Sequence, residues 1–369
     1  MKRLRTSAMA LAVAALVTGT GATSPTPKAT PSPTPTATQS DGTLQILTYR
    51  GYAEYGGVSP KANWVGSFEK ETGCRIARLD TVRTAEEMAA KVGERPYDVI
   101  SAGPALAGDL IARKQVQPVD PAKVAGYDDL DERFREMGEV SGKVYGVPYL
   151  WGYHEFVYDA AKVKGASLDQ AFASDRIALR DSPMTIADAA LTDNTVKDPY
   201  ELSRAQFDRA VALLGQHKDR TYWKKPIDLV KGFATGSLDY AQATPYYRLL
   251  LEKAGKPVKA VAAKKTTGWL DSWMLGANLP DTTCAYRWLT WMTSADAQRD
   301  AASWVGLAPA NDKACKGRGK SICDVYGVGD AKRLARVAFA VRPPGDCRGE
   351  DGECTDYAVW AKQWDALAG

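Results

Sequence analysis

Gly268-Trp269-Leu270-Asp271-Ser272-Trp273 sets an indole and a carboxylate two residues apart. In an extended strand alternate side chains share a face, so Trp269 and Asp271 look into one space. An aromatic wall beside an anion is a common way to hold an organic ammonium ion. A core strand with Trp269 and Trp273 packed inward and Asp271 salt-bridged fits the same six residues. The segment alone does not choose between these two readings.

Upstream of it, short apolar strands alternate with amphipathic helices. Leu44 to Tyr49 reads as a strand, Lys61 to Thr72 as a helix with Trp64, Val65 and Phe68 on one face, and Cys74 to Leu79 as a second strand. Thr84-Ala85-Glu86-Glu87 opens a helix as a capping box, Tyr97 to Ser101 is a third strand, and Ala105 to Arg113 a third helix. This alternation predicts right-handed crossovers and a parallel sheet, whose ligands bind beyond the carboxyl ends of the strands. Tyr49-Arg50-Gly51-Tyr52 and Ser101-Ala102-Gly103-Pro104 fall at such ends.

A second α/β unit follows Tyr145-Gly146-Val147-Pro148-Tyr149-Leu150-Trp151-Gly152, where glycines and a proline flank an aromatic segment that reads as a strand crossing between units. Within it, Ser203 to Gln206 caps a helix running through Gln216, and a strand at Leu238 to Gln242 precedes a helix at Tyr246 to Ala254. The expected division is 43–145 with 270–305 in lobe 1, and 146–269 with 306–369 in lobe 2.

The chain has 369 residues, 45% hydrophobic and 25% charged, which excludes a disordered or fibrous protein and leaves room for two domains. Lys2, Arg3 and Arg5, an apolar run from Ala8 to Val17 and small residues to Thr23 make residues 1–22 a secretory signal, too short to span a bilayer. Its removal takes the formal charge from +4 to about +1, so no basic field for nucleic acid remains. Val17-Thr18-Gly19-Thr20-Gly21 resembles a bacterial lipoprotein box with Thr20 in place of the cysteine that accepts the lipid. The expectation is an exported protein released without a lipid anchor. Residues 23–42, rich in Thr, Pro, Ser and Ala, read as an extended tether.

Six cysteines in an exported chain favour disulfides over metal ligation, and only His154 and His217 could assist a metal. Local pairing joins Cys315 to Cys323 and Cys347 to Cys354, which leaves Cys74 for Cys284; six cysteines allow 15 connectivities. No Cys-x-x-Cys or His-x-x-x-His spacing is present, and no metal or cofactor is expected.

Taken in order, several stretches resemble the exported solute-binding proteins of ABC importers, in the family that includes the spermidine/putrescine-binding proteins. They are Phe68-Glu69-Lys70-Glu71-Thr72-Gly73, Tyr97-Asp98-Val99-Ile100, the Tyr145–Gly152 crossover, Gly268-Trp269-Leu270-Asp271-Ser272, the helix from Cys284 to Leu289, and Ala308-Pro309-Ala310-Asn311. The resemblance implies a periplasmic-binding-protein-like fold of two α/β lobes joined by a hinge, with a small-molecule ligand in the interlobe cleft. It implies a monomer that delivers its ligand to membrane permease subunits. It assigns Trp269 and Asp271 to a polyamine-like cation, Tyr49 and Tyr52 to the lining, and Asp181, ahead of Asp188, to a second ammonium. Ser182, Ser101, Gly103, Trp151 and Tyr246 complete the candidate ligand-binding set.

Departures from the family pattern bear on the ligand. Where relatives carry tryptophans this chain has Tyr49 and the run Ala243-Thr244-Pro245-Tyr246-Tyr247. Arg50 either points to solvent or turns a guanidinium into the cleft, where it repels a diamine and favours a ligand with an acidic group. Other readings are an amino-acid-like zwitterion, ferric ion on the adjacent phenols Tyr246 and Tyr247, or a secreted hydrolase. The chain has no Gly-x-Ser-x-Gly, histidine-bearing metal motif or phosphate loop, so no enzyme activity is expected. His154 reads as a hydrogen-bonded structural residue, Trp288, Trp291 and Trp304 as core, and Lys264-Lys265 as a solvated turn.

Overall fold

The computed structural model describes residues 42–217, 220–343 and 354–368. The expected signal, nearly all of the tether and the Cys347 partner of the third disulfide lie outside them. The first strand, Thr43–Tyr49, pairs in parallel with Arg75–Val82 on one side and Val99–Ala102 on the other. Helices Trp64–Thr72 and Ala85–Glu94 make the connections between them. The first is capped by Asn63, whose side chain accepts from the Gly66 N–H, and buries Trp64, Val65 and Phe68, the face its 3.6-residue period specifies.

The sheet is mixed rather than parallel throughout. The eleven-residue strand Thr266–Gly276 lies at its centre, antiparallel to Val99–Ala102 and to Val147–Tyr153. Ala308–Pro309 extends the sheet beyond Val147–Tyr153, and Val337–Phe339 pairs with the first residues of the long strand. A second, five-stranded sheet has the order 221–223, 177–180, 240–243, 155–159, 258–260.

This pairing departs from the expected division. Residues 147–153, 266–269, Ala308–Pro309 and Val337–Phe339 all belong to the larger sheet. The reason is that Ala308, Ala310, Ile322, Tyr326 and Val337 bury against the same core as Trp151 and Trp273. The smaller lobe keeps the C-terminal helix Tyr357–Ala368, whose Trp360 and Trp364 pack with Phe207 and Ile186.

Two strand-to-strand crossings join the sheets, and beyond Phe339 the chain passes again to the C-terminal helix of the smaller lobe. Val147–Tyr153 runs through His154 into Glu155–Asp159, and Val258–Ala260 returns to the long strand. A buried polar cluster sits at this junction. Asp188 accepts from the Thr267 hydroxyl at 2.6 Å and the Gln242 amide at 2.8 Å, and His154 Nδ1 stands 3.2 Å from it. Such groups are tolerated out of water because they pair with one another, although the buried His154 Nε2 stands without a partner among the described residues. His154 is therefore structural, as its sequence context suggests, and Asp188 belongs to the junction.

Cys74 joins Cys284 and Cys315 joins Cys323, as expected. Trp288 is fully buried, with Phe68 and Trp273 packed edge-on against it. Trp291 lies partly buried against the same core, whereas Trp304 is 39% exposed on its helix. Among the described residues no helix is long and apolar enough to cross a membrane.

Candidate ligand site

Asp271 is buried, 5% exposed, on the long strand. Its carboxylate accepts from the Tyr52 hydroxyl and from the Trp269 indole N–H, so the two-residue spacing does bring indole and carboxylate together. Burial raises its pKa from 3.8 to about 6, while the Tyr52 hydrogen bond, the positive charge of Arg180 and the Trp269 hydrogen bond pull the other way. A carboxylate kept in so dry a place gains from a cation that can replace the lost water.

Tyr52 reaches Asp271 because its loop is fixed at several points. Its N–H donates to the Tyr49 carbonyl at 3.1 Å, and its own carbonyl accepts from the Tyr149 hydroxyl at 2.9 Å and the Trp64 indole at 3.2 Å. Tyr49 meets Tyr52 edge-on at 5.6 Å, and burial followed by the charge of Asp271 raises both phenols above their ordinary pKa. Gly103 follows the third strand and faces the carboxylate, with space so limited that a Cβ there would stand 3.0 Å from Asp271 Oδ1. Gly152 does the same for Trp269, whose Cζ2 lies 2.7 Å from where a Cβ would be.

The indole wall is already occupied. The Arg180 guanidinium lies over the Trp269 ring, 5.1 Å from its centre, and the His154 ring is 5.1 Å away on a tilt of 42°. Arg180 ends the strand Ile177–Arg180, and its charge is felt by Asp271, Tyr49 and Tyr247. It is the main residue that the sequence reading passed over. The cation weighed there, Arg50, is exposed.

Several expected residues prove to serve the fold. Trp151 is fully buried and donates its indole N–H to the Pro309 carbonyl at 2.9 Å, which makes it a core residue. Ser101 is also fully buried, pairing with the Thr48 hydroxyl at 2.8 Å and holding the Tyr49 N–H at 3.3 Å, so it braces the loop instead of facing a ligand. Asp181 has both oxygens engaged, one by the Trp364 indole at 2.8 Å and one by Lys224 at 3.0 Å. Ser182 accepts from the Met184 N–H at 3.3 Å in the turn that follows. Tyr246 packs toward Gly306, while Tyr247 feels Arg180. Tyr52, Trp269, Gly103 and Tyr49 thus gather around the Asp271 carboxylate, with Arg180 reaching the Trp269 ring from the smaller lobe.

Residues 63–318 match the family model described as bacterial extracellular solute-binding protein. The chain belongs to that family. A putrescine-binding periplasmic protein, SpuD, of Pseudomonas aeruginosa is 29% identical to this solute-binding protein over 167 residues, covering 38% of the chain and 44% of that relative. The chain thus spans less than half the length of the curated relative it matches. Among solved structures, the spermidine/putrescine ABC transporter substrate-binding protein PotD of Streptococcus pneumoniae superposes with a TM-score of 0.67 at 16% identity, covering 88% of this chain and 97% of that one. The periplasmic binding protein MotA of A. tumefaciens B6, solved in complex with glucopine, gives 0.62 at 17% identity, over 88% and 97%. At these identities the superpositions establish the two-lobed binding-protein fold.

Proposed function

We propose that this solute-binding protein serves an ABC importer outside the cytoplasmic membrane, as a released monomer, and captures a small organic ammonium compound in the cleft with Asp271 as its anchor. The observation that carries the reading is the buried Asp271 carboxylate, raised to a pKa of about 6 and framed by Tyr52, Trp269 and Gly103. A carboxylate left with so little water strengthens most when a cation reaches it. The name of the putrescine-binding relative and that of PotD support an amine ligand, and the glucopine complex of MotA widens the range beyond polyamines.

A ligand that touches both lobes selects their closed arrangement, the form in which such a protein would meet permease subunits. A ferric ligand is disfavoured, because the Tyr247 phenol lies within the field of Arg180, which opposes a trivalent cation. The test is calorimetry with aliphatic amines and diamines on the wild type and Asp271→Asn. Binding that falls roughly 10- to 100-fold in the variant, the scale of a hydrogen bond to a charged group, supports the anchor. Equal binding to both proteins refutes it.

A further inference from the structure

Arg180 has a feature that the ammonium anchor leaves unexplained. Its backbone is tightly held, with the N–H donating to Gln242 Oε1 at 2.8 Å and the carbonyl accepting from the Thr185 hydroxyl at 2.8 Å. Gln242 is itself fixed by Asp188. Its guanidinium, by contrast, forms no ion pair or hydrogen bond among the described residues, and rests on the Trp269 ring. The other described arginines nearest the lobe junction are engaged: Arg248 by Glu155 and Glu252, and Arg336 by the carbonyls of Lys264 and Ala263. A planar fork of five donors left without an acceptor, on a braced backbone, is poised for a carboxylate or phosphate.

Asp271 does not supply that acceptor. Tyr52 and Trp269 donate to it, and the indole over which Arg180 lies is the same one that hydrogen-bonds to Asp271. The two opposite charges therefore flank one aromatic ring without pairing. We infer that Arg180 is the specificity-determining residue of the cleft and receives an anionic group of the ligand, so that the solute is a zwitterion with its ammonium on Asp271 and an acidic group on Arg180. This rests on the ammonium reading above and narrows it. A diamine would satisfy Asp271 but would bring its second cation toward Arg180, whereas a zwitterion complements both charges.

The probes are ω-amino acids of three to six carbons, diamines of matching length and n-butylamine, titrated calorimetrically into the wild type, Arg180→Gln and Asp271→Asn. The wild type should bind its best ω-amino acid roughly 10- to 100-fold more tightly than the matching diamine. Arg180→Gln should remove that preference by weakening the amino acid and sparing or strengthening the diamine, and Asp271→Asn should weaken both. A wild type that favours the diamine, with binding still dependent on Asp271, overturns the inference and leaves the ammonium anchor standing. If no probe binds at millimolar concentration, both fall. Should Arg180→Gln fail to fold, the wild-type ranking decides alone, and Arg180→Lys, which keeps the charge but loses the fork, should retain the preference in weaker form.

Discussion

The raised pKa of Asp271 ties the ligand site to the stability of the empty protein. Unfolded, this carboxyl titrates near 3.8; folded, burial moves it to about 6, against the pull of Tyr52, Arg180 and Trp269. The folded state therefore binds the proton more tightly, and the stabilisation is fully present below pH 3.8 and lost as pH rises through 6. A gap of about two units is worth about 3 kcal/mol at 1.36 kcal/mol per unit. Asp271→Asn removes the titration while keeping an acceptor for Tyr52 and Trp269. Chemical denaturation of both proteins from pH 4 to pH 8, without ligand, should show the wild type losing about 2.5 kcal/mol relative to the variant across that span, the remainder lying below pH 4. Comparing the difference between the two proteins cancels any fixed cost of the amide and the titration of other groups. A cation bound at Asp271 reverses the sign of its effect, so wild-type affinity for an amine should fall about tenfold from pH 7.5 to pH 5. A stability difference that stays flat with pH, or in which the wild type gains as pH rises, would refute the account of a carboxylate whose burial outweighs its hydrogen bonds.

Two further outcomes follow from the packing. Trp360→Ala should cost about 3–5 kcal/mol, because the ring is fully buried against Phe207, and hydrogen exchange should show the loss concentrated in the smaller lobe. Replacing Cys74 and Cys284 with serine should lower stability by about 2–5 kcal/mol in denaturant titrations under non-reducing conditions, where the Cys315–Cys323 bond stays intact in both proteins.

The local elements were legible in the sequence because each carries its own signal. The helix at Arg204–Leu214 announces itself by Ser203 and Gln206 at its cap, and Trp64–Thr72 by its apolar spacing, although the spacing alone places its start three residues early at Lys61. Trp269 and Asp271 were legible as a pair because strand geometry repeats every two residues. Trp151 and Ser101 were misread because Val147–Tyr153 and Val99–Ala102 are buried on both faces, where alternation no longer tells cleft from core. Arg180 was hidden for a different reason. It lies 89 residues from Trp269, and only the pairing of its strand with Tyr240–Ala243, together with the crossing at His154, brings it over that ring. The lobe boundary failed similarly, since nothing local in Ala308–Pro309 or Val337–Phe339 says which sheet each short strand will join.

The Cys74–Cys284 bond spans 210 positions, and every strand of the smaller sheet, from Glu155 to Ala260, lies between its two ends. Residues 74–284 thus form a covalent ring that carries the whole smaller sheet, so a single cut by a protease anywhere along the ring opens it without releasing a fragment. The nicked chain would run as one species until reduced and then as two. Proteolytic damage to the loops of the smaller sheet would leave both halves tethered and able to keep their packing.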